Sequence, residues 1–288
     1  MTNNATSELN EQYFDKYVHV NGLRLHFTDW NPTGNETIVM LHGLNVQTHT
    51  WDPIAAKLAK NYRVICPDLR GHGDSDWAKD GYRLGTFVAD LKELCRLLAL
   101  DRPIVVGHSL GARIAIGYAG AHPDDISMLL LSDTGPEVPR EAAMFARDIV
   151  GAAFESRGFK DEAAALAFFE EKHPEWQPVF RELHVRHQLR KNWAGKLVFK
   201  SDPDVFWITG GIGLKEIPHL WEMVAAIQCP TLIMWGKTSP FFDDALVERM
   251  TSSMKDAHVE QFDTGHYIPR ERPDEFVAAV ERFVKENQ

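Results

Sequence analysis

Three cysteines in 288 residues, Cys66, Cys95 and Cys229, are too few and too scattered for a disulfide framework. None falls in a C-x-x-C pair or near histidine at metal-ligand spacing, so no structural metal is expected. An odd, sparse set fits a reducing compartment, and the expected location is cytoplasmic. Long apolar runs are also missing. Those present, such as TIVML and MLLL, fall well short of the roughly 20 residues a membrane helix needs. The opening MTNNATSELNEQ has no basic segment leading into an apolar one, so no secretory signal is expected. Excess positive charge is absent: 31 Lys and Arg stand against 41 Asp and Glu, a formal net charge of −10. Phosphate backbones and anionic bilayers repel such a surface, which argues against nucleic-acid and membrane partners and leaves a small molecule as the expected one. There is no block of like charge, no repeat and no low-complexity tract, and nothing fixes the oligomeric state. What is present is a 44% hydrophobic chain, enough for a packed interior and long enough for a core plus an inserted subdomain.

Apolar strands alternate with amphipathic helices along most of the chain. Asn21-Gly22 between Tyr17–Val20 and Leu23–Thr28 is a hairpin signal. Strands are expected at Thr37–Leu41, Arg63–Cys66, Pro103–Val106, Ile126–Leu131 and Thr231–Trp235. Helices are expected at Trp51–Lys60, Leu84–Leu100, Leu110–Ala121 and Pro273–Lys285. This alternation predicts an α/β protein, a mostly parallel sheet with helices on both faces. From 136 to 228 the pattern changes to helix-like segments rich in aromatics, with no convincing strand. That stretch reads as an inserted helical cap, with 1–135 and 229–288 as the core. Most of its aromatics should bury against the sheet and a minority should face a pocket, with Trp207 and Trp221 as candidates.

Gly107-His108-Ser109-Leu110-Gly111 is a G-x-S-x-G sequence between an expected strand and an expected helix. A tight turn with an inert serine would read the same without that context. In it, the sharp strand-to-helix turn exposes the serine oxygen above the carboxyl edge of the sheet. A serine hydroxyl needs a base to become a nucleophile. Of the thirteen histidines, His266 follows the expected strand Val259–Phe262 and leaves the sheet on the same edge as Ser109. Its pKa is expected near ~6.5, pushed upward by a neighbouring carboxylate. His42-Gly43-Leu44-Asn45 ends an early strand beside the elbow. Backbone N–H groups of Leu44 and Leu110 are the expected oxyanion hole. Asn45 and His108 beside these motifs join Trp207 and Trp221 as candidate substrate contacts. His42 and His49 lack a third and fourth metal ligand in the sequence, and His42 reads as structural.

These segments (LHGLN, RVICPDLRGHGDSDW, VVGHSLG and TGHYIPRERPDEF) make the chain resemble the α/β-hydrolase superfamily over nearly its whole length. The resemblance implies an eight-stranded sheet, a cap after the sixth strand, and a Ser–acid–His triad working without a cofactor. Ser109 stands where dehalogenases and epoxide hydrolases of that superfamily carry aspartate, which argues against both chemistries. One departure matters. The acid commonly follows the seventh strand in a stretch like W-G-x-x-D-P, but here it reads Trp235-Gly236-Lys237-Thr238-Ser239-Pro240. The expected substitute is Asp133 at the end of the sixth strand, with Asp243 and Asp244 as rivals.

The function expected is hydrolysis of a carboxylic ester or lactone through an acyl-enzyme on Ser109. An amide or carbon–carbon bond hydrolase needs the same parts. A cofactor-free oxygenase and a non-catalytic small-molecule receptor are the readings from other classes, since a fold does not fix a function.

Overall fold

The computed structural model describes residues 13–139, 142, 144, 158–209 and 211–288. The chain opens with the hairpin β1 (Tyr13–Val20) and β2 (Leu23–Trp30), joined through Asn21 and Gly22, whose φ values of 50° and 83° are those a two-residue turn requires. There follow β3 (Thr37–Leu41), α1 (Asp52–Leu58), β4 (Arg63–Pro67), α2 (Leu84–Leu97), β5 (Ile104–His108), α3 (Leu110–Ala121) and β6 (Met128–Ser132). After the cap stretch come β9 (Thr231–Gly236), α8 (Asp244–Ser253), β10 (Ala257–Phe262), α9 (Ile268–Glu271) and α10 (Pro273–Glu286). The eight core strands form one sheet in the order β1-β2-β4-β3-β5-β6-β9-β10. β2 runs antiparallel to both its neighbours, and all pairs from β4 to β10 are parallel.

The central strands are apolar at every position because they are buried on both faces. In β3, Val39 and Leu41 point into one core with α2, α3 and α8, while Ile38 and Met40 point into the other with α1 and α10. β6 divides the same way, Leu129 and Leu131 against Met128 and Leu130. α10 buries Phe276, Val280 and Val284 completely, each worth about 1.5–3 kcal/mol of apolar transfer. The carboxyl ends of the parallel strands therefore form one rigid edge, where the motif loops collect.

Between β6 and β9 the described elements are α4 (Glu162–Lys172), α5 (Pro178–Gln188), β7 (Leu189–Lys191), β8 (Leu197–Phe199), a 3-10 turn at Pro203–Thr209, α6 (Gly211–Lys215) and α7 (Ile217–Ala226). The expected helical cap is there, and beside its helices lie β7 and β8, an antiparallel ribbon that the sequence did not suggest. Three-residue strands leave no periodicity to read. Phe159, Phe169, Val185 and Leu197 make a small core of their own there.

Candidate active site

Ser109 sits between β5 and α3 with φ 54° and ψ −117°, a backbone state that non-glycine residues rarely hold and that costs roughly 1–3 kcal/mol. The turn closes because its flanks lack side chains. A Cβ at Gly107 would stand 2.4 Å from the Gly111 carbonyl oxygen, and one at Gly111 would stand 2.2 Å from that of Leu41. The geometry lifts Ser109 into a cavity of about 990 Å³, measured out to its open mouth. His266 lines the same cavity, as do His108, Leu44 and Leu110.

His266 lies in the loop between β10 and α9. Its Nδ1 is 2.8 Å from Oδ2 of Asp133, which follows β6 directly. Asp133 is fully buried and held from two more directions: the Gly236 N–H donates to Oδ1 at 2.8 Å, and the Ser239 hydroxyl donates to Oδ2. The serine in the usual acid position thus donates to the Asp133 carboxylate. Asp243 instead caps α8, accepting from the Leu246 N–H at 2.7 Å, and Asp244 is an exposed first-turn residue of that helix. Phe241 stacks on the His266 ring at 3.8 Å between centroids, fixing its plane.

Gly43 brings the β3 loop against the elbow, since a Cβ there would lie 3.1 Å from that of Ser109. His42 anchors this loop. Its Nδ1–H donates to the Gly43 carbonyl at 2.7 Å and its Nε2 accepts from the Leu69 N–H at 3.0 Å. Leu110 is the first residue of α3, so its N–H has no acceptor within the helix. Leu44 and Leu110 both line the cavity that holds Ser109.

Burial governs the electrostatics. It pushes the Asp133 carboxyl up to about 8, against the hydrogen bonds from Ser239 and Gly236 that pull it down. Burial first, and the Arg270 charge second, push the His266 imidazole down to about 3. This reverses the upward shift expected from the sequence, which considered the carboxylate but not the desolvated ring or the arginine. Both shifts disfavour charge on the pair, so the two residues share one proton and titrate together. His108 is likewise held well below the usual imidazole range by burial and by the His266 charge.

The other expected contacts divide. His108 faces the cavity. Asn45 does not line it; its Oδ1 accepts from Gln188 at 3.3 Å, a tie between core and cap. Trp221 does not line it either. Its ring N–H donates to Glu137 at 3.1 Å and Arg249 stacks on its face at 3.7 Å. The side chain of Trp207 lies outside the described residues. The described cap residues that do line the cavity are Val138, Ile208, Gly213, Leu214 and Ile217, none aromatic. Phe159, Phe168, Phe169 and Phe199 instead pack together in the cap's own small core, Phe206 joins the main core, and Trp193 is exposed. Sequence reading passed over Phe241, Arg113 and Arg270. The two arginines had a signal: each follows a motif residue by four positions.

His49, without partners in the sequence, gains them in the fold. Ligand-type atoms of Asp15, His26 and His49 lie within 4.8 Å of one another, as do those of His26, Asp68 and Asp74. Both ring nitrogens of His26 are already engaged, by Asp68 at 2.8 Å and Asp15 at 3.0 Å. Among the described residues, no helix is long and apolar enough to cross a membrane.

A strand-elbow-helix serine, a late histidine on the same sheet edge and a buried carboxylate behind it define a class of enzyme rather than one reaction. The family model for the alpha/beta hydrolase fold matches residues 36–273, and the chain belongs to that family. It is similar to the 3-hydroxybutyrate-oligomer hydrolase of Cupriavidus necator, 28% identical over 266 residues covering 84% of this chain and 87% of that protein. It is similar to the cis-3-alkyl-4-alkyloxetan-2-one decarboxylase of Shewanella oneidensis, 27% identical over 291 residues, 94% of this chain and 88% of that one. The solved structure of E-2-(acetamidomethylene)succinate hydrolase superposes with a TM-score of 0.84 at 22% identity, covering 95% of this chain and 99% of that chain, a likeness of fold. The chain is an α/β-hydrolase-fold enzyme with general hydrolytic chemistry, and its relatives act on more than one kind of bond.

Proposed function

We propose that the enzyme is a serine hydrolase of carboxylic esters or lactones, with Ser109 as nucleophile, His266 as general base and acid, and Asp133 as the residue that orients His266. The observation that carries this reading is the 2.8 Å contact of His266 Nδ1 with buried Asp133, on a ring that shares its cavity with Ser109. Asp133 holds the Nδ1–H tautomer, leaving Nε2 as the basic nitrogen. His266 takes the hydroxyl proton as Ser109 Oγ attacks the carbonyl carbon. The oxygen that becomes negative is held by the N–H groups of Leu44 and Leu110. His266 then returns the proton to the departing alkoxide, leaving an acyl-serine. Water attacks the ester by the same route, and the acid leaves. The reaction uses only residues of the chain. An ester oligomer hydrolase and an oxetanone-ring enzyme among the relatives make oxygen esters the first substrates to try.

The test is labelling and turnover. A fluorophosphonate should modify Ser109, and Ser109→Ala should lose both labelling and hydrolysis of p-nitrophenyl esters and lactones. Full hydrolysis by Ser109→Ala would defeat the serine mechanism. Oxygen uptake without hydrolysis would favour the oxygenase reading instead.

A further inference from the structure

The candidate nucleophile and the candidate base are each followed, four residues later, by an arginine that lines the same cavity. Arg113 follows Ser109 on α3, its backbone N–H bonding the Ser109 carbonyl at 3.3 Å. Arg270 follows His266 on α9, and it is 3% exposed. Neither has a carboxylate partner within 4 Å among the described residues. Arg113 donates to the Gly213 carbonyl at 3.2 Å, and its Nε has no acceptor. Arg270 puts Nε and Nη2 on the Thr50 hydroxyl at 3.1 and 2.8 Å, and its Nη1 has none.

Acid is not scarce in a chain with 41 Asp and Glu. Arg63 pairs with Asp29, Arg70 with Asp90 and Asp80, Arg249 with Glu137 and Arg282 with Glu260. Glu216, whose charge acts on Arg113 from beyond ion-pair distance, accepts from the Leu84 N–H at 2.8 Å and keeps its Oε2 buried without a hydrogen bond; Glu175, whose charge acts on Arg270, pairs with His173 at 3.1 Å. Arg270 does rest on the Trp176 face at 3.9 Å, with Tyr267 at 5.3 Å. Rings attract the cation but leave its N–H edge unsatisfied. Burial lowers both guanidinium pKa values, that of Arg270 to about 10, so both remain charged near neutrality. A desolvated cation without a counterion is costly unless an anion arrives.

We propose that Arg113 and Arg270 bind a carboxylate on the substrate, so that the enzyme acts on esters, lactones or amides whose acyl part bears a second, free carboxylate. The proposal rests on the hydrolase reading for the site of cleavage, and names the substrate class for it. Arg113 stands one helical turn beyond Ser109 and the Arg270 charge acts on the His266 ring, so the carboxylate and the scissile carbonyl are joined by a short chain. Two guanidinium groups, each with a nitrogen that has no acceptor, suit a carboxylate better than a neutral acyl tail.

The experiment compares mono-p-nitrophenyl succinate and glutarate with p-nitrophenyl butyrate and pentanoate, near neutral pH. Wild type should prefer the anionic esters, mainly through KM. Compared where each protein's pH profile is flat, Arg113→Gln and Arg270→Gln should each lower kcat/KM on the anionic esters by roughly 10- to 100-fold, the range for losing one charge-assisted hydrogen bond, and change the neutral esters much less. Arg113→Lys and Arg270→Lys should recover part of the preference. Binding of glutarate monoamide to Ser109→Ala, followed by calorimetry, separates the two claims. Binding that disappears with either glutamine substitution supports the anion site even if no ester is turned over, an outcome that would sink the hydrolase reading alone. A wild-type preference for neutral esters, equal losses on both series, or monoamide binding indifferent to both arginines would overturn the proposal.

Discussion

Nδ1 of His266 meets Oδ2 of Asp133 at 2.8 Å across 133 residues of sequence, and Ser239 donates its hydroxyl to that same oxygen. The adjoining ends of β6 and β9 therefore present two side chains to one point, a carboxylate from the end of β6 and a hydroxyl from beyond β9.

Exchanging the two roles tests this arrangement. Asp133→Asn should keep the fold and lower turnover by up to roughly 10⁴, because the amide favours the wrong histidine tautomer. Ser239→Asp alone should bring no gain, since a second carboxylate beside the first adds repulsion. In the Asp133→Asn background the same change should restore part of the activity. Turnover measured across the four proteins should be strongly non-additive. Near-normal rates in Asp133→Asn, with large losses on replacing Asp243 or Asp244, would reassign the acid.

The pH profile should expose the arginine beside the base. In the proposed mechanism the active form of the His266–Asp133 pair keeps the Nδ1–H between the two residues and has lost the proton on Nε2, so kcat/KM rises with pH as that proton leaves. Arg270 bears positive charge and favours the deprotonated form, lowering the His266 pKa after burial has done so. Arg270→Gln should therefore move the ascending limb to higher pH, and Arg270→Lys should leave it nearly in place. The profile is measured on a neutral ester to keep substrate recognition out of the reading. A limb that stays put or moves to lower pH in Arg270→Gln would show that the charge does not reach the pair.

Strain at Ser109 should be visible in stability. At φ 54° and ψ −117° glycine is at ease and alanine is not. Ser109→Gly should be inactive yet melt above Ser109→Ala, by roughly 2 °C or more for a relief of about 1 kcal/mol. Thermal unfolding of the two inactive proteins decides it; a lower melting point for the glycine variant would mean that the elbow is not strained.

The sequence alone determined the sheet and its punctuation. Strands Thr37–Leu41 and helix Leu110–Ala121 are found where their apolar patterns end, and the Gly107-His108-Ser109-Leu110-Gly111 turn forms because only glycine clears the carbonyls of Leu41 and Gly111. Such features depend on near neighbours in the chain and on side-chain size, which a sequence states directly. Asp133 could be named as the leading acid only because the departure at Ser239 left a gap to fill. Tertiary structure decided the rest. The β7–β8 ribbon has too few residues to carry a period. Trp221, bonded to Glu137 and Arg249, turned away from the cavity that aliphatic cap residues line. The downward shift of His266 arises from burial and from Arg270, and Arg113 and Arg270 keep nitrogens without acceptors because packing brings no carboxylate of the described residues to within 4 Å of either. Desolvation and pairing are sums over everything packed around a group, and residues far apart in sequence supply most of those terms.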